Sequence, residues 1–129
     1  MVKIYIVEDN EELQKLYVLN LTNNGHTIIG QSYNGEEALI DLYFNYGTNT
    51  PDILILDYNI PGKNGLELFN DLNNLGLLTN TSTLLISANK DLETQALEIG
   101  ITRYINKPFY FKKLNEIISE LIRIKINFP

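Results

Sequence analysis

Five short apolar runs, each followed by a segment of helical periodicity, constrain this chain more than any other feature. VKIYIV (residues 2–7) is apolar and strongly β-prone. From residue 10 to about 24, Leu13, Leu16, Tyr17, Val18, Leu19 and Leu21 recur at mostly helical spacing. HTIIGQSY (26–33) reads as a second strand, and 36–46 as a helix with Ala38, Leu39, Leu42 and Tyr43 inward. DILIL (52–56) is a third strand, apolar on both faces, followed by a helix over 65–75. STLLISA (82–88) is a fourth strand, and 91–99 a helix closed by Gly100. Residues 102–105 form a short fifth strand, and 109 to about 126 a final amphipathic helix with Leu114, Ile117, Ile118, Leu121 and Ile122 inward. Alternating strands and helices predict an α/β domain, a parallel sheet with helices on both faces.

The turn chemistry agrees. Asn10 is an N-cap candidate with Glu11 and Glu12 in the first turn, where acids are favoured. Asn23-Asn24-Gly25 stops that helix, and Gly47-Thr48-Asn49-Thr50-Pro51 is a loop. With 129 residues, one domain spanning 1–129 is expected, and it is large enough for one core. Residues 124–129 read as the start of a linker if the chain belongs to a longer protein. There is no cysteine, so disulfides and thiolate metal sites are excluded. No apolar run reaches about 18 residues, so no membrane span is expected, and no secretory signal opens the chain. A cytoplasmic location fits. Ten Lys and Arg against sixteen Asp and Glu give −6, which argues against direct nucleic-acid binding.

In a parallel sheet all strands end at one edge, and ligands bind there. The first strand ends in Glu8-Asp9, the third runs into Asp57, the fourth ends in Ser87, and the fifth leads to Lys107-Pro108. Three carboxylates, a hydroxyl and an ammonium should therefore converge. Crowded carboxylates repel, and an oxygen-only set selects a hard cation such as Mg²⁺, with Mn²⁺ as a substitute. A carboxylate beside such a cation can attack phosphorus and become an aspartyl-phosphate. Lys107 can pair with one phosphoryl oxygen and Ser87 can donate to another. Asp57 stands at a strand end because a nucleophile must be exposed yet rigidly held. Gly62 and Gly65 let the next loop turn sharply beside it.

These residues carry a resemblance. Val7–Asp9 (VED), LILDYNIPGKNG at 54–65, ISA at 86–88 and YINKPF at 104–109 resemble the receiver domain of two-component response regulators, over essentially the whole chain. The resemblance implies a flavodoxin-like (βα)5 fold with strand order 2-1-3-4-5. It implies that Asp57 accepts a phosphoryl group from a sensor histidine kinase, a histidine phosphotransfer protein or a small phosphodonor. It implies Asp9 and Asp57 as direct Mg²⁺ ligands, Glu8 through water, and Asn59 through its backbone carbonyl. Lys107 contacts the phosphoryl group, with a cis bond to Pro108. Ser87 and Tyr104 form the switch, which reshapes the face of the fourth helix, fifth strand and fifth helix for a downstream partner. The state is monomer or phosphorylation-dependent dimer. The chain differs from many members in having Glu-Asp for Asp-Asp, Ser87 for Thr, and Thr102-Arg103 where one dimerising subfamily has two Asp.

Two other functions are compatible with an acidic pocket on this fold. An Asp-nucleophile phosphohydrolase would need a second acid two residues after the nucleophile, and Asn59 stands there. A non-phosphorylated interaction module would keep only the fold. Gly62-Lys63-Asn64-Gly65 lacks the spacing of a P-loop. His26 is read as a loop residue, and Tyr33, Tyr43, Phe44 and Tyr46 as core and rim packing.

Overall fold

A computed structural model describes residues 2–127, with side chains through residue 124. The elements run β1 (Lys3–Val7), α1 (Glu11–Asn23), β2 (Thr27–Ser32), α2 (Gly35–Asn45), β3 (Ile53–Asp57), α3 (Gly65–Asn74), β4 (Ser82–Ser87), α4 (Glu93–Glu98), β5 (Arg103–Asn106) and α5 (Phe111–Asn127). The strands form one sheet in the order β2-β1-β3-β4-β5, every neighbouring pair parallel. This is the flavodoxin-like order. The chain leaves β1 toward β2 and then returns to β3 on the other side, so the switch in winding direction falls between β1 and β3.

Strand periodicity splits the core in two. Ile4, Ile6, Ile53, Ile55, Leu84 and Ile86 pack with Tyr17 and Leu21 of α1 and with Leu114, Ile117, Ile118 and Leu121 of α5. The alternate residues Tyr5, Val7, Leu54, Leu56 and Leu85 pack with Ala38, Leu42, Leu68, Phe69, Leu72 and Ala96 of α2, α3 and α4. β3 is buried along its whole length, which is why its sequence shows no polar alternation. Each large aliphatic side chain so buried contributes about 1.5–3 kcal/mol.

Asparagines start the helices. Asn10 accepts from Leu13 N at 2.9 Å and Asn34 from Glu37 N at 2.9 Å. Asn64 accepts from Glu67 N at 2.9 Å while Glu67 accepts from Asn64 N at 3.0 Å, a reciprocal cap.

The structure corrects several expectations. The helix expected over 91–99 is a 3-10 turn, Lys90–Leu92, and then the short α4. Asn89 accepts from Asp91 N and closes a tight turn before the helix proper. The last helix starts at Phe111, not 109. Phe109 is left in the preceding loop, where it stacks on Tyr17 with ring centroids 6.2 Å apart. α5 ends at Asn127, close to its expected end near 126, and 128–129 lie outside the described residues. Tyr33, Tyr43, Phe44 and Tyr46 are not core, and Phe44 is 76% exposed. Leu16 and Leu19 of α1 also face outward, because the buried face of that helix is Gln14, Tyr17 and Leu21. Helical spacing finds a stripe, but only the neighbouring layers decide which stripe is covered. His26 is a loop residue and only part-buried. No helix among the described residues is long and apolar enough to cross a membrane.

Candidate functional site

The site is built at the carboxyl ends of β1, β3, β4 and β5. Alternation along each strand sorts its members. Asp57 has the parity of Ile53 and Ile55, and Glu8 that of Ile4 and Ile6; Lys107, just past β5, has that of Ile105. All three belong to the α1/α5 side. Ser87 has the parity of Leu85 and so belongs to the opposite side, as does Tyr104, which packs on that cluster.

The geometry brings the acids and the lysine together. One carboxylate oxygen from each of Glu8, Asp9 and Asp57 lies within 4.8 Å of the others. Lys107 Nζ lies 2.7 Å from Asp57 Oδ1 and 3.5 Å from Glu8 Oε1. Asp57 is only 4% exposed, against the expectation of an exposed nucleophile. It lies under the Lys107 side chain, and Asp9 is the exposed member of the acidic set. The backbone N–H of Asn59 lies close enough to the Asp57 carboxylate to favour its ionised form. On the other side Ser87 Oγ accepts from Asn89 N at 3.0 Å, and the Tyr104 hydroxyl donates to the Asn89 carbonyl. Asn89 thus joins the expected hydroxyl and the expected aromatic, a link not anticipated from sequence. The Lys107–Pro108 bond is cis.

Burial and charge set the ionisation. Burial pushes the Glu8 carboxyl up to about 7, helped by the charge of Asp57 and opposed by the Asn10 N–H and Lys107. Burial also raises Asp57, and the hydrogen bond and charge of Lys107 oppose it. Burial would depress Lys107, yet Asp57 and Glu8 together hold its ammonium above the usual lysine range. A cation among these acids would offset both their desolvation and their mutual repulsion. Glu8 Oε1 is buried without a hydrogen bond, its ion pair with Lys107 being long at 3.5 Å. A buried carboxylate oxygen that accepts no hydrogen bond, grouped with two further acids, fits a hard, oxygen-seeking cation such as Mg²⁺.

The loop after β3 must pass very close to the site. A Cβ on Gly65 would stand 2.7 Å from the Asp57 carbonyl and 2.9 Å from Tyr58 Cα, so only glycine fits. Gly65 N donates to Tyr58 O at 2.8 Å, and Gly62 turns at φ +80°. Beside Lys107, a groove of about 380 Å³ is lined by Leu13, Ala88, Lys107, Pro108, Phe109 and Phe111.

Gln14 was passed over in the sequence. It occupies an inward position of α1 and donates to backbone carbonyls behind the acidic pair. A polar residue on the apolar stripe with Tyr17 and Leu21 was the available signal.

A doubly wound parallel sheet with three carboxylates and a lysine at its switch point defines an α/β domain with an acidic pocket at the carboxyl ends of its strands. The model of the response regulator receiver domain matches residues 4–119, and the chain belongs to that family. It is 30% identical over 121 residues to the alkaline phosphatase synthesis transcriptional regulatory protein PhoP of Bacillus subtilis, covering 94% of this chain and 48% of the relative. It is 28% identical to the transcriptional regulatory protein CiaR of Streptococcus pneumoniae, covering 95% and 52%. The chain spans about half the length of these relatives. Among solved structures, the response regulator TrrA of Thermotoga maritima, in complex with Mg(2+)-BeF, matches with TM-score 0.79 and 26% identity, over 94% of this chain and 99% of that one. The CheX-CheY-BeF3-Mg+2 complex of Borrelia burgdorferi matches with TM-score 0.83 and 25% identity, over 93% and 88%.

Proposed function

We propose that this receiver domain, spanning 1–129, is a phosphorylation switch in which Asp57 accepts a phosphoryl group from a phosphohistidine donor. The observation that carries the reading is the meeting of Glu8, Asp9 and Asp57 within 4.8 Å, with Lys107 2.7 Å from Asp57. Asp9 and Asp57 would hold the cation, with Glu8 and the backbone carbonyl of Asn59 completing the oxygen set around it. Bound Mg²⁺ supplies charge stabilisation for the transferring phosphoryl group.

Asp57 Oδ attacks phosphorus in line with the leaving nitrogen. The P–N bond breaks, and the imidazole leaves with the electron pair and takes up a proton. Lys107 exchanges its Asp57 partner for a phosphoryl oxygen. The Ser87 hydroxyl turns to donate to another oxygen, which takes it from Asn89 N. Asn89 also accepts from Tyr104, so the move reaches β5 and α4. The added charge thereby reshapes the α4-β5-α5 face for a protein partner. The donor is a sensor histidine kinase or histidine phosphotransfer protein, for which the groove beside Lys107 offers apolar surface next to the acceptor. The domain is a signalling module in the cytoplasm, monomeric or dimerising on phosphorylation. Its charge of −6 disfavours direct contact of this domain with nucleic acid.

Intact mass after incubation with acetyl phosphate and Mg²⁺ tests the proposal. One phosphoryl adduct is expected on the wild type and none on Asp57→Asn. An adduct on Asp57→Asn, or none on the wild type, refutes it. Rapid multiple-turnover hydrolysis of a simple phosphate ester would instead favour a phosphohydrolase.

A further inference from the structure

The ladders of β1 with β2 and with β3 both end at Val7. Glu8 and Asp9 therefore lie beyond the sheet, and its regular hydrogen bonding does not hold their peptide. Yet two carboxylates that share a cation must be held to within about half an ångström. Gln14 is 0% exposed on the inner face of α1. A buried amide is tolerated where its hydrogen-bonding groups are met. Here they are met on the backbone behind the acidic pair. Nε2 lies 2.9 Å from Ser32 O, 3.1 Å from Glu8 O and 3.4 Å from Ile6 O. Oε1 accepts from Gln31 Nε2 at 3.0 Å, which fixes the orientation of the amide. Glu8 N in turn donates to Ser32 O at 3.0 Å. The N–H of Glu8 is thus tied to β2 and its C=O to α1. The same C=O belongs to the peptide unit that carries the Asp9 N–H.

We infer that Gln14 is a positioning residue for the divalent-cation site: its amide clamps the Glu8–Asp9 peptide so that both carboxylates face Asp57. The inference rests on reading that acidic set as the Mg²⁺ site. Groups one step behind metal ligands set affinity, and their loss costs roughly 10–100-fold.

The test measures Mg²⁺ affinity of the full chain by calorimetry, together with the Glu8 and Asp9 amide NMR signals. Gln14→Met keeps the shape and removes the donors. It is expected to weaken Mg²⁺ binding roughly 10–100-fold and to shift both amides. Leu121→Ala, a buried change farther along α5, is the control for lost stability and should leave the affinity within about twofold, as for a distant, independent site. Gln31→Ala is an exposed change that keeps the fold and frees only Gln14 Oε1; a loss of about two- to fivefold is expected. A Gln14→Met affinity equal to wild type, an equal loss in Leu121→Ala, or no change in Gln31→Ala overturns the inference. If the wild type binds Mg²⁺ and takes up phosphoryl but Gln14→Met binds equally well, only the role of Gln14 fails. A wild type that binds no Mg²⁺ overturns the site reading and this inference with it.

Discussion

Stability in the absence of divalent cations should fall as pH rises from about 4.5 to about 7. Burial holds the Glu8 carboxyl up from the usual 4.5 to about 7. In that window the folded chain keeps a proton that the unfolded chain has released, so raising the pH favours unfolding. Below about 4.5 both states are protonated, and above about 7 both are ionised, so the slope vanishes at each end. A shift of this size corresponds to about 3 kcal/mol at 1.36 kcal/mol per pH unit. Asp57 is raised too and acts with the same sign. Urea unfolding from pH 4.5 to 8 in EDTA measures the slope. Glu8→Gln has no proton to lose, so it should flatten most of the curve and exceed wild type by about 2–3 kcal/mol at pH 7.5. Mg²⁺ binds the ionised form and should restore about 2.7 kcal/mol to wild type at a hundredfold excess over Kd. A wild-type stability that rises across the window, or a Glu8→Gln slope equal to wild type, would refute the reasoning.

Gly65→Ala should cost about 2–3 kcal/mol and slow phosphoryl uptake, because its Cβ meets backbone atoms of Asp57 and Tyr58 that cannot move aside; an unchanged urea midpoint and uptake rate would contradict this. Lys107→Met leaves Glu8 and Asp57 without their cation. It should tighten Mg²⁺ binding by roughly tenfold in calorimetry through lost repulsion, yet slow acetyl phosphate labelling by roughly a hundredfold. Weaker Mg²⁺ binding in this variant would remove the electrostatic account. Tyr5→Phe deletes a hydroxyl that bonds Ser32 Oγ and donates to Asp41 Oδ2 at 2.7 Å. It should cost about 1–2 kcal/mol, and a loss below about 0.5 kcal/mol in urea unfolding would count against that network.

Much of the fold was legible because strand and helix periods differ and Asn, Gly and Pro mark the breaks. Asn10 capped the helix it was expected to cap. All five strands lie within about two residues of their expected bounds. The failures share a cause. Leu16, Leu19 and Tyr43 sit on plausible stripes, but which stripe is covered depends on where the adjoining layers end. Phe109 read as helical and instead fills a gap beside Tyr17. At the site, Glu8, Asp9, Asp57 and Lys107 could be named from strand ends alone, since parallel strands must all finish on one edge. The burial of Asp57, the Glu8 oxygen without a hydrogen bond, the bridging role of Asn89 and the clamp at Gln14 could not, because each depends on distances across elements remote in sequence.

Local sequence, then, determined the order of elements and which functional groups end each strand, because hydrophobic period and turn chemistry act over a few residues. The tertiary structure alone decided which acids lose their water and which buried oxygen accepts no hydrogen bond. Those outcomes come from packing whole layers together, and desolvation is a property of the assembled interior.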